Sequence, residues 1–129
     1  MENSNSEQIN SGIARRSFDF GVKIIELVKS FNRSTAEFVI INQLVRSGTS
    51  IGANIQEAQS AHSRKDFIHK MEIALKEARE TKYWILISIE SKLLRSDKLS
   101  EFLVKEIEEI IKILVTIVKT SKSNSDSKV

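Results

Sequence analysis

Two histidines, a pair of neighbouring glutamates and a scatter of serines have the most obvious capacity for chemistry in this chain. His62 and His69 are its only histidines. Seven positions along a helix would set them about 10 Å apart, too far to share a metal ion. Asp66 can pair with either, but no third ligand has a suitable spacing, so ordinary surface histidines describe them better. Glu77 and Glu80 could be imagined as a carboxylate dyad for acid–base work. Lys76, Arg79 and Lys82 surround them, which makes ion pairing the expected fate. A di-metal carboxylate bundle uses Glu-x-x-His on two helices, and the sequence holds none. No serine sits in a Gly-x-Ser-x-Gly elbow and there is no cysteine nucleophile. The pattern predicts no enzyme, no cofactor and no metal.

The stretch "SGTSIGANIQEA", residues 47–58, has the look of a phosphate-cradling loop because of Gly48 and Gly52. A P-loop needs Gly-x-x-x-x-Gly-Lys-Ser/Thr after a strand, and both the lysine and the strand are missing. At 100° steps, Ile40, Leu44, Gly48, Ile51, Ile55 and Ala58 instead form one helical stripe. Two glycines inside a helix cost roughly 1 kcal/mol each against alanine. Placed one turn apart, they would let another helix backbone come close.

Basic residues are the more suggestive chemistry. Arg64 and Lys65 stand together with His62, His69 and Lys70 close by, Arg15 and Arg16 form a second pair, and Arg46 stands alone. In a monomer these are a few solvated charges. In a closed oligomer each cluster repeats by symmetry and several phosphates could be neutralised together. The net charge of +3 is compatible with a polyanionic partner without requiring one. Aromatic residues are 6% of the chain and mostly core-like phenylalanine, so base stacking is not signalled.

The elements that would position these residues are helical. With no proline and four glycines, the 129 residues lack the turn punctuation of a β-rich fold. Four helices are predicted: residues 17–31, 36–61, 63–94 and 98–119. Thr35 is the expected cap of the second, and "SRKD" at residues 63–66 has capping-box spacing for the third. Ser96 or Asp97 would cap the fourth. Asp66–Lys70 and Glu72–Lys76 are expected as i,i+4 ion pairs on the third. Short links between four helices predict an all-α, up-and-down antiparallel four-helix bundle over residues 15–119. Residues 1–14 and 120–129, polar and short of apolar anchors, are expected to be disordered tails.

The fourth helix carries more apolar surface than a monomeric bundle needs, with Leu99, Phe102, Leu103, Ile107, Ile110, Ile111, Ile113, Leu114, Ile117 and Val118 covering most of its girth. The second half of the third repeats the excess through Ile73, Trp84 and Ile87. The back of the second shows Gln43, Ser47, Ser50 and Asn54, short and uncharged. Gly48, Gly52, Asn54, Trp84 and Ile113 are therefore the candidates for helix packing or self-association, with a ring-like homo-oligomer as the expected assembly. The absence of cysteine suits a reducing cytoplasm. The polar N-terminus does not read as a signal peptide, and the longest apolar run, residues 110–118, is far too short to span a membrane.

Residues 37–85 closely resemble the four-helix-bundle proteins first noticed as products of intervening sequences in bacterial 23S rRNA genes. The ordered matches are Gln43, Leu44, Arg46 and Ser47; Ser50, Ile51, Asn54, Ile55 and Glu57; Ser63, Arg64, Lys65, Phe67 and Ile68; and the run from Ala74 to Trp84. The resemblance runs from about residue 18 to 94, then continues only as apolar spacing. It implies a cytoplasmic bacterial homopentamer related to the basic accessory protein of diversity-generating retroelements, which binds nucleic acid and a reverse transcriptase. No catalytic residue is carried over. The expected function is thus non-enzymatic binding of RNA or DNA, through Arg46, Arg64, Lys65 and Lys70 with Arg15 and Arg16 in reserve. The alternative is a scaffold that recruits a protein partner without touching nucleic acid.

Overall fold

A computed structural model describes residues 12–31, 35–94 and 97–126. The described residues form four helices: α1 (Gly12–Val28), α2 (Thr35–Gln59), α3 (Arg64–Glu90) and α4 (Lys98–Asp126). No strand occurs among the described residues. Each helix packs on the next and α4 closes back on α1, while the backbones of the diagonal pairs stay apart among the described residues. That is the contact pattern of a four-helix bundle.

The stripe predicted from periodicity on the second helix lies in the core, which the other three helices complete. Phe20, Ile24 and Leu27 of α1 meet Leu44, Ile51 and Ile55 of α2, with Met71 and Ile85 from α3 and Leu103, Ile107, Ile110 and Leu114 from α4. Each aliphatic side chain withdrawn from water in this way stabilises the fold by about 1.5–3 kcal/mol before entropy is subtracted.

Helix ends follow local capping chemistry. Ser63 is the N-cap of α3, and its Oγ accepts from the Asp66 N–H at 3.0 Å, as the "SRKD" spacing predicts. At α4 the cap is Asp97: its Oδ1 accepts from the Ser100 N–H while Ser100 Oγ accepts from the Asp97 N–H, both at 2.9 Å. Thr35, expected as a cap, is the first residue of α2. At the end of α3, Lys92 turns left-handed (φ 63°). The Lys92 N–H then reaches Ile89 O, and the Leu93 N–H reaches Ser88 O.

Four boundaries depart from the sequence reading by three residues or more; α1 ends at Val28, not residue 31, and α3 ends at Glu90, not residue 94. Helix α1 starts at Gly12, not residue 17, because its first turns bury Ala14 and Ser17, residues too small to register as an apolar stripe. Residues 1–11 of the expected N-terminal tail lie outside the described residues. Helix α4 runs to Asp126, not to about 119, so residues 120–126 are helical rather than a disordered tail. Val118 and Ser121 prolong the buried stripe of Leu114, and Lys122 pairs with Glu72 of α3 at 2.9 Å. Residues 127–129 are outside the described set.

Stretch 47–58 is helix interior, lying against α1. A Cβ on Gly48 would fall 2.9 Å from Cγ1 of the fully buried Ile24, and one on Gly52 would lie 3.4 Å from the backbone of Ser17. Lack of a side chain at Gly48 is what admits Ile24.

Candidate nucleic-acid interface

The six basic residues singled out by sequence fall into two groups. Arg15 pairs with Asp19 one turn on, at 3.1 Å, and its guanidinium lies 5.5 Å from the centre of the Phe18 ring. Arg16 reaches from α1 to α4 and grips Glu106 with two hydrogen bonds, Nε to Oε2 at 2.9 Å and Nη2 to Oε1 at 2.6 Å. The hydrogen bond to Glu106 is the main cause of the raised Arg16 pKa. Arg46 crosses from α2 to α3, donating to Glu77 at 3.1 Å and to Glu80, with its Nε and Nη2 also on Gln43 Oε1. Lys70 holds Glu57 of α2 at 2.9 Å, and that hydrogen bond, with the charge behind it, raises the Lys70 pKa.

Arg64 and Lys65 differ from these four. Both are exposed at the start of α3, and among the described residues neither makes an ion pair. Beside Arg64 a shallow groove of about 420 Å³ runs between Ala58, Ala61 and Phe67. His62 and His69 are exposed nearby. No group of three His, Asp or Glu among the described residues is placed to hold a metal ion.

Neither expected i,i+4 pair of α3 is the one that forms. Asp66 contributes only the smallest influence on Lys70, which bonds Glu57 instead, and Glu72 bonds Lys122 of α4. Glu77 and Glu80 are ion-paired, but by Arg46 of α2 and not by their neighbours on α3. Carboxylates of α3 thus turn sideways to adjacent helices. Lys76 and Arg79 are left exposed with no ion pair among the described residues.

The residues assigned to packing sort by depth. Asn54 is half-buried and its amide donates to Ser50 O at 2.8 Å. Trp84 is half-buried against the core, with Nε1 donating to Glu80 Oε1 at 3.3 Å. Ile113 is also half-buried. The buried hydroxyls of Ser17, Ser47, Thr81 and Ser88 each return to a carbonyl one turn back in their own helix. They act as small core residues, not nucleophiles.

Apolar excess is not where the pattern of α4 put it. Flanked by α1 and α3, α4 covers Leu99, Val104, Ile111 and Ile117 against the core, and Phe102 is its one large hydrophobic side chain exposed among the described residues. One exposed ridge is on α1, where Phe18, Val22 and Ile25 are 46%, 45% and 37% exposed; on α3, Ile87 is 38% exposed, in the half of that helix where surplus was expected, next to Leu86 at 45%. Spaced i, i+4 and i+7, the three α1 residues border an apolar groove of about 290 Å³ that Gly21, Gly52 and Ala53 also line. Sequence reasoning missed this ridge because it looked for surplus surface only on the other three helices.

Fold and surface together define an all-α bundle with paired charges inside its grooves and a few unpaired cations outside. Residues 10–116 match the 23S rRNA-intervening sequence protein family. The chain belongs to that family, and the match takes in most of α4 as well as the first three helices. Among solved structures it is similar to a protein of unknown function from the S23 ribosomal protein family of Bacteroides thetaiotaomicron VPI-5482, with 44% identity and a TM-score of 0.77 over 84% of this chain and 99% of that one. None of the curated proteins matches it. No helix among the described residues is long and apolar enough to cross a membrane.

Proposed function

We propose that this protein is a non-enzymatic, cytoplasmic, self-associating bundle that binds structured RNA by its phosphates. The observation that carries the reading is the state of Arg64 and Lys65, two adjacent exposed cations without an ion pair among the described residues, in a chain of a family named for an rRNA insertion. Arg16, Arg46 and Lys70 support the bundle instead, each already holding a carboxylate. Self-association runs through the Phe18–Val22–Ile25 ridge, and the resemblance supplies the number five. Repetition of Arg64 and Lys65 around a ring would then turn a small net charge into a multivalent phosphate-binding surface.

Gel shifts of RNA across a salt series test the binding. The affinity should fall steeply as salt rises, because each neutralised phosphate releases counterions. No shift at low ionic strength, or a shift indifferent to salt, overturns the proposal. Light scattering tests the assembly, which should weigh a multiple of the 14.6 kDa chain. The second reading, a scaffold for a protein partner, is favoured by Phe38 and Val39, half-exposed near the start of α2. A pull-down whose bound protein survives nuclease would favour it.

A further inference from the structure

The outward face of α3 continues from Arg64 and Lys65 along a single line. Lys65, His69, Lys76, Arg79 and Tyr83 follow one another at steps of four, seven, three and four, which keeps them on one side of a helix. All five are exposed, and the three permanent cations Lys65, Lys76 and Arg79 make no ion pair among the described residues. Glu72 is the one acid within the line, and Lys122 neutralises it from α4. At a rise of 1.5 Å per residue the row is about 27 Å long. Tyr83, at its end, is 58% exposed and stands edge-on against Trp84, with ring centres 5.2 Å apart. Trp84 is itself fixed by its bond to Glu80. An aromatic ring held from one side and open on the other is a platform for a flat partner.

We infer that this row is a track for single-stranded nucleic acid, with its phosphates on Lys65, Lys76 and Arg79 and a base stacked on Tyr83. The inference rests on the nucleic-acid reading above and narrows it to an unpaired strand. Three permanent cations in line, about 16 Å and 5 Å apart along the helix axis, favour an extended polyanion. The open aromatic beyond them distinguishes a nucleic-acid strand from an acidic polypeptide, since every base offers a stacking face. Low aromatic content gave no stacking signal; the proposal relies on the exposure of Tyr83, not on the number of aromatics.

The test is fluorescence anisotropy with a labelled oligoadenylate of about 12 nucleotides, a length within the range such surfaces cover. Its partners are the wild-type chain, the Lys76→Ala/Arg79→Ala double variant, Tyr83→Ala and Tyr83→Phe, with circular dichroism to check the fold. The double variant should lose about 1.4 from the slope of log affinity against log salt, at roughly 0.7 per phosphate on a single strand. Tyr83→Ala should weaken binding about tenfold at every salt concentration, and Tyr83→Phe should restore it, because stacking uses the ring and not the hydroxyl. If wild type binds duplex or structured RNA but these variants bind as it does, the track is wrong and the broader reading survives. If wild type binds no nucleic acid, both fail together. Equal competition by polyglutamate, with Tyr83→Ala unchanged, overturns the assignment in favour of an acidic protein.

Discussion

Helix α3 has two polar faces built from the same kinds of residue, and they have opposite fates. On the side toward α2, Glu77 and Glu80 take Arg46 while Lys70 takes Glu57, so every charge named has a partner. On the outer side, Lys65, Lys76 and Arg79 have none among the described residues. The difference is made by neighbours. Where a second helix lies alongside, a carboxylate reaches across to it in preference to its own helix, and the cations one turn away are left to solvent. A basic residue therefore becomes available to a partner by the direction its acidic neighbours take, and counting charges along the chain does not reveal it.

Removing a cation from each face should give the largest contrast. Glu77 has only 13% of its side chain exposed, so Arg46→Ala would leave a half-hidden carboxylate pair without its donor. A loss of about 1–2 kcal/mol is expected, read as a lower urea midpoint at unchanged slope. Lys76→Ala and Arg79→Ala should each stay within about 0.5 kcal/mol of wild type. Equal losses on the two faces would break the distinction between a cation that supports the bundle and one that is free.

A second experiment moves a residue from one class to the other. The double variant Glu77→Gln/Glu80→Gln keeps shape and hydrogen-bonding capacity but removes the charge that holds Arg46. If availability is what qualifies a cation, Arg46 should join the binding surface and RNA affinity at low salt should rise about three- to tenfold, with a steeper salt slope. Unchanged affinity would mean that position on the bundle, not freedom from carboxylates, decides which cations meet RNA.

Much of this architecture was legible in the sequence, and the gaps share one cause. Apolar periodicity identified four helices and set Leu44, Ile51 and Ile55 on the stripe that the core takes up, whereas Ile107 and Leu114, counted with the surplus of the fourth helix, are core as well. Local rules also found the Ser63–Asp66 cap and read stretch 47–58 as helix. What escaped was decided between helices. Arg16 and Glu106 are 90 residues apart, and Arg46 and Glu77 are 31 apart, so i,i+4 arithmetic could not see either pair. It assigned Glu72 to Lys76 and Asp66 to Lys70, and both cations were misplaced as a result. The breadth of apolar surface on α4 misled in the same way: a helix with neighbours on two sides can bury most of its girth, whereas α1 turns Ser17 and Gly21 inward and leaves Phe18, Val22 and Ile25 outside. Helix patterns were readable because they repeat locally; the site was not, because it depends on which helix lies next to which.

The smallest expected effect concerns Lys70, a paired cation on the same helix as the outer row. Its pKa is raised, chiefly by the hydrogen bond to Glu57 and next by that carboxylate's charge. A group whose folded pKa is raised contributes stability that is complete below its ordinary value, about 10.5, and is lost as pH climbs through the folded one. The Lys70–Glu57 pair should therefore be constant from about pH 6 to 9 and fade only in stronger alkali. Comparing melting temperatures of wild type and Glu57→Gln over that range should give a flat difference that shrinks above pH 10 or so. A difference that changed between pH 6 and 8 would mean that Lys70 is not what sets the contribution of Glu57. In the same variant, RNA affinity at neutral pH should rise about twofold, less than for the release of Arg46, because Lys70 offers one point charge where Arg46 offers a two-pronged donor.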